Sequence, residues 1–264
     1  MKTAFTILVC LPLYFTQLFA QPVWQNASTG TGAGSPATVA KPADVTSGNL
    51  LVIGLTFEKG SAEVITPPTG WVLIQRTNNG TDAGLATYYK IATASEQENY
   101  NFTIANGSKW CIGISRITGG TNAGILNASA TGDTGGNPTA PSITTPTNAY
   151  LILCFYTNKK SATYTLGGSQ AERYDAPNSS EGLPSNCLGS FIKPAAGPTG
   201  AQTATPSESE RWVAMQVGIP PGVPLPVELV SFQASVCRET AVCLDWETAS
   251  ETNNDYFSIQ RSRT

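Results

Sequence analysis

Histidine is absent from all 264 residues. Its absence removes every Ser-His and Cys-His nucleophile and every imidazole-held metal from consideration. Charge is sparse as well: Asp, Glu, Lys and Arg make up 12% of the chain, about half the usual share, with a formal net charge of −3. A weakly acidic surface without basic clusters gives nucleic acid nothing to hold. Beyond residue 20 no apolar run approaches the roughly 20 residues of a membrane-spanning helix, and no stretch carries a long helical period.

What remains is short runs of β-branched and aromatic residues punctuated by Gly, Pro and Asn, the signature of an all-β chain. It is preceded by a leader. Lys2 supplies a positive start, residues 5–19 an apolar stretch broken by Pro12 and Gln17, and Ala20 a small residue before Gln21. This reads as a signal peptide over 1–20 cleaved between Ala20 and Gln21, so the protein is expected outside the cell or on its outer surface.

An internal repeat organises residues 21–222. The apolar run 47–57 aligns with 147–157, residues 85–92 with 188–195, and the run from Trp110 with the run from Trp212, at offsets of 100, 103 and 102. Each half, about 40–120 and 140–220, reads as five strands: 50–57, 71–77, 85–91, 99–104 and 110–117, then 150–157, 170–174, 187–193, 201–205 and 212–219. Ten strands with apolar faces are best buried as a duplicated two-sheet β-sandwich, jelly-roll-like in form. Residues 66–71 read as a Pro- and Gly-built turn delivering Trp71 onto a sheet.

The stretches Gly48-Asn49-Leu50-Leu51-Val52, Pro68-Thr69-Gly70-Trp71 and Tyr88-Tyr89-Lys90-Ile91-Ala92 resemble a β-sandwich module that recurs in bacterial extracellular and phage-associated proteins. Pro220, Pro221, Gly222 and Pro224 then form a linker. Leu225-Pro226-Val227-Glu228-Leu229 and the run Trp246 to Phe257 resemble the module preceding the C-terminal sorting signal in Bacteroidetes proteins exported by type IX secretion. That resemblance implies a partial immunoglobulin- or fibronectin-like β-module over 223–264, with later strands and a sorting signal for the export machinery missing after Thr264.

Catalytic constellations are weak. Ser190-x-x-Lys193 has the spacing of a serine–lysine pair, but on a strand these residues face opposite ways. Gly30-Thr31-Gly32-Ala33-Gly34 opens no helix and reads as a flexible loop. The carboxylate neighbours Glu96 and Glu98, Glu208 and Glu210, and Asp175 and Glu181 all lie in polar loops, as do Asp82 and Asp133, whose oxygens suit turns better than calcium. The six Asn-x-Ser/Thr triplets, at Asn26, Asn79, Asn101, Asn106, Asn127 and Asn178, follow in a bacterial protein from an Asn- and Thr-rich composition. No catalytic residue, metal or cofactor is assigned.

Binding is the better-supported role. Tyr88 and Phe191 align between the halves, with Lys90 and Lys193 on the same strand faces, and these four are the candidate ligand-binding residues. Tyr89 and Ile192 would then face the core. The expected function is a non-catalytic module for adhesion or glycan binding, its partner a glycan or another surface protein. The alternatives are an accessory domain of a secreted hydrolase and a passive spacer.

Export permits disulfides. With Cys10 in the leader, an odd number of the six cysteines remains. Cys237 and Cys243 flank a hairpin tip and are expected to pair across it. Phe232, Ala234, Val236, Leu244 and Trp246 would form its buried side. Cys111 and Cys154 fall in buried strands, and Cys187 is the expected accessible thiol.

Overall fold

The computed structural model describes residues 20–176, 184–222, 228–238 and 241–250, with the last two segments' side chains covered at 230–235 and 243–247. Residues 1–19 of the expected signal peptide, 1–20, therefore lie outside the described residues, as does Glu181. The chain divides into two compact units, one of them Gln21–Gly222 and the other containing the 223–264 segment. Among the described residues no helix is long and apolar enough to cross a membrane.

The first half of Gln21–Gly222 contributes eight strands: β1 (Val23–Ala33), β2 (Ala37–Ala40), β3 (Leu50–Glu58), β4 (Ile65–Thr66), β5 (Val72–Asn79), β6 (Ala83–Ile91), β7 (Asn99–Ile104) and β8 (Lys109–Thr118). The second contributes β9 (Leu126–Gly132), β10 (Thr139–Ala140), β11 (Thr144–Thr145), β12 (Tyr150–Asn158), β13 (Tyr164–Leu166), β14 (Ala171–Ala176), β15 (Ser185–Lys193), β16 (Gly197–Pro198), β17 (Gln202–Pro206) and β18 (Trp212–Ile219). The two halves have one topology. A five-stranded sheet β1-β8-β3-β6-β5 matches β9-β18-β12-β15-β14, and a three-stranded sheet β2-β7-β4 matches β10-β17-β13. Among the described residues of Gln21–Gly222, only the short β11-β16 ladder has no counterpart. This is a duplicated, jelly-roll-like all-β sandwich, with Trp110 and Trp212 near the start of the equivalent strands β8 and β18.

All ten expected strands are present, but the sandwich has four layers rather than two. The five-stranded sheets pack face to face, and each carries its own three-stranded sheet on the outer side. Three cores result. Leu50, Val52, Leu153, Phe155 and Met215 fill the central one. Ile53, Phe57, Tyr88, Tyr100 and Phe102 fill the outer core of the first half, and Ile152, Tyr156, Tyr164 and Trp212 that of the second. Strands β3 and β12 are therefore buried on both faces, which is why they read as continuous apolar runs. Trp71 enters the first outer core from its turn, with Gly70 at φ 89° and the indole edge-on to Tyr100 at 5.1 Å.

The halves begin earlier than the sequence suggests, because β1 and β9 are rich in Gly, Thr, Ser and Asn and lack an apolar rhythm. Residues 30–33, expected as a flexible loop, belong to β1. Their glycines are steric requirements: a side-chain carbon at Gly30 would meet the Thr38 carbonyl oxygen at 2.4 Å, and one at Gly32 the Trp110 ring at 2.6 Å. The repeat is also one residue out of step in the sequence alignment. Phe57 pairs with Trp110 and Asn158 with Trp212, so Leu50 corresponds to Leu151, not Tyr150. Similarity among apolar residues cannot fix register where both faces are buried, since no alternation marks the core side.

In the other unit, β19 (Glu228–Arg238) and β20 (Ala241–Ser250) form an antiparallel hairpin. Phe232 faces Trp246 and Ala234 faces Leu244, so the apolar residues share one face as expected, but the register differs from the one that would put Cys237 opposite Cys243. That apolar face is largely open: Phe232 is 45% and Trp246 39% exposed. The residue across from Cys243 is Ser235, while Cys237 falls in an irregular step of the ladder between Val236 and Arg238. The Cys237 side chain lies outside those described. Cys243 is not among the free cysteines and has a bonding partner.

Candidate functional site

The two five-stranded sheets meet edge over edge, β1 beside β14 and β5 beside β9. The β5–β9 seam is closed at one end by polar contacts. Thr77 Oγ1 lies 2.6 Å from Ser129 Oγ, and Asn79 Nδ2 donates to the Gly132 carbonyl at 2.8 Å. Each seam also opens into a cleft. Trp24, Leu151, Arg173 and Ile192 line one of about 140 Å³. Val72, Leu73, Ile74, Tyr89 and Asn122 line the other, of about 260 Å³.

The clefts occupy equivalent places. A bulge interrupts β5 between Leu73 and Gln75 and β14 between Glu172 and Tyr174, so Ile74 and Arg173 hold matching positions. A bulge re-aims a side chain at a sheet edge. In β5 it turns Ile74 toward the central core; in β14 it turns Arg173 over the Trp24 ring, 4.6 Å from its centre. The Arg173 Nε donates to Ser190 Oγ at 2.7 Å, and the Trp24 indole nitrogen donates to Ser115 Oγ at 3.1 Å. Burial holds the Arg173 pKa below its ordinary value. No ion pair among the described residues includes Arg173. In the second cleft Asn122 Nδ2 reaches the Tyr89 hydroxyl at 3.4 Å, and Val72 and Leu73 stand 47% and 50% exposed.

The residues predicted from sequence lie elsewhere. Tyr88 is 3% exposed, its ring 5.1 Å from Phe102 in the first outer core. Lys90 turns back to Glu96 at 2.7 Å, with its ammonium 5.6 Å from the Tyr100 ring centre. Phe191 packs on the outer core of the second half, though the Trp24 cleft reaches it, and Lys193 pairs with Tyr150 at the end of β15. The four residues thus belong to outer faces of two different sheets. By strand register Tyr88 corresponds to Gly189 and Lys90 to Phe191. The alternation of faces is as expected, with Tyr89 packed at the edge of the central core where it lines one cleft and Ile192 lining the other, but the opposite face is covered too, so Tyr88 is core as well. The three-stranded sheets cause this, because they cover the side that a two-sheet sandwich leaves open. Trp24 and Arg173 had no signal beyond being an aromatic and a cation in polar strands.

Most of the charged candidates are committed to structural pairs. Glu96, which burial alone would raise, is held down to about 2 by Lys90, Thr93 and Tyr100. Glu98 pairs with Lys41, and Glu210 with Lys160. Asp82 lies between Lys159 and Arg211, and Asp133 faces Arg211 at 3.7 Å, so their oxygens already answer cations of the chain. Burial raises Asp175 to about 6, against one hydrogen bond from the Tyr164 amide. Ser190 and Lys193 stand on one strand, with Ser190 bonded to Arg173. Cys111, Cys154 and Cys187 are all free and buried; Cys187, expected to be accessible, faces the second outer core.

The fold and the paired clefts define an all-β sandwich with two diverged copies of one surface feature. No known protein family, curated protein or solved structure matches the chain.

Proposed function

We propose that the chain is a secreted or surface-attached, non-catalytic module for adhesion or glycan binding. One observation carries this reading: duplication has placed two equivalent clefts on one body, each with apolar walls, an aromatic ring and a hydrogen-bonding group. Small apolar clefts with a few fixed polar groups suit sugar rings, which offer apolar faces and hydroxyls. The carboxylates described above answer cations or backbone groups, so a hydrolytic pair has no support from them. Export by the type IX route rests on the resemblance around 225–229 and 246–257.

The test is a glycan-array screen of the full chain, repeated with Trp24→Ala and Tyr89→Ala. Binding that both substitutions weaken supports the module reading. Absence of binding to every polysaccharide and host glycan would instead make the sandwich a spacer.

A further inference from the structure

The two clefts differ most in the group that selects charge. Arg173 stands where the other cleft has Ile74. Its Nε is engaged by Ser190 Oγ, and the Trp24 ring fixes one side of the guanidinium. The terminal Nη groups make no hydrogen bond to a described residue. Arg173 is half-buried and no carboxylate among the described residues pairs with it, so its charge is open to an acidic group from a ligand. The cleft itself brings no acid: its remaining walls are Gln21, Pro22, Val23, Leu151, Phe191 and Ile192.

We infer that the Trp24 cleft binds the carboxylate of an acidic sugar, a uronate, with Arg173 as the charge-reading residue. This rests on the glycan-binding reading and adds the substrate class. The two Nη donors form a planar fork that matches the two oxygens of a carboxylate, and the reduced water access strengthens the pair. Trp24 and Ile192 offer apolar surface to the sugar ring. The Tyr89 cleft, with isoleucine at the matching bulge, has no such preference and takes uncharged rings. A sulfate ester shares the negative charge but is tetrahedral, so it separates charge from shape.

Calorimetric titration of the full chain tests this with oligogalacturonate, its neutral methyl ester and a sulfated neutral oligosaccharide of equal length. Oligogalacturonate is expected to bind best and to weaken with added salt. Arg173→Ile should reduce its affinity by about tenfold or more, as expected for loss of a charge-assisted pair. Arg173→Gln, which can keep a hydrogen bond to Ser190, should show the same loss and guards against a folding defect in the first variant. Equal binding of acid and methyl ester, stronger binding of the sulfated sugar, or unchanged affinity in Arg173→Gln overturns the uronate assignment and leaves the glycan-binding reading standing. If none of the three sugars binds and the array is also blank, both fall.

Discussion

Gly54 and Phe155 hold the same place in the two halves of the sandwich, and they touch. A side-chain carbon at Gly54 would lie 2.6 Å from the Phe155 ring. A position that meets its own duplicate marks the pseudo-two-fold axis between the facing sheets. Identical bulky residues there would collide, and identical glycines would leave a void. One glycine opposite one phenylalanine fills the space. The same device recurs beside it, where Tyr174 sits on Gly113.

Phe155→Ala should therefore cost about 3–5 kcal/mol, as for other fully buried phenylalanines, and Gly54→Ala about 1–3 kcal/mol through overpacking. The double variant should be less destabilised than the two changes added together, because the new methyl group then meets no ring. A urea-denaturation double-mutant cycle measures that coupling; simple additivity would show that the two sites do not share space.

A second pair of glycines supports the tryptophans. Gly32 lies across from Trp110 and Gly132 from Trp212, and a side-chain carbon at either would come within 2.6 Å or 2.2 Å of the indole. Gly32→Ala and Gly132→Ala should each lower stability by about 1–3 kcal/mol. Thermal unfolding checks this. An unchanged midpoint would mean that the indoles can shift without loss.

The Lys90–Glu96 pair predicts an acid-sensitive fold. The Glu96 side chain is 3% exposed and bonds Lys90, Thr93 and Tyr100. Its carboxyl is held at about 2 against an ordinary 4.5. Because the folded value is the lower one, this stabilisation is present above pH 4.5 and is lost as the pH falls toward 2. Glu96→Gln should cost about 2–3 kcal/mol at pH 7 by leaving Lys90 unpaired, and its stability should vary less with pH over that window. Equal pH profiles for the two proteins would count against the pair.

The cysteines give a chemical test. Burial pushes the Cys111 thiol up to about 12 and raises Cys154 and Cys187 as well, so none of the three should react with a thiol reagent in the native protein. All should react in denaturant. Peptide mapping without reduction tests the proposed Cys237–Cys243 bond: finding either as a free alkylatable thiol ends that proposal.

Residues 50–57 and 150–157 were legible as central strands because burial on both faces leaves an unbroken apolar run. The same property hid their register, and the repeat aligned one residue out. Trp110 and Trp212 could be matched because each is a large residue at the start of a long apolar strand.

By itself, the sequence determined that this chain is all-β, that its sandwich is duplicated and that no histidine chemistry is available to it, since composition and strand-length apolar runs depend only on local residue order. Tertiary structure alone decided the number of layers, because β2, β4, β10 and β13 are two- to four-residue strands with no pattern of their own. The first half's three-stranded sheet covers Tyr88 and leaves Tyr89 at a cleft. The meeting of Trp24 with Arg173, and of Gly54 with Phe155, likewise arises only when two sheets distant in sequence pack face to face.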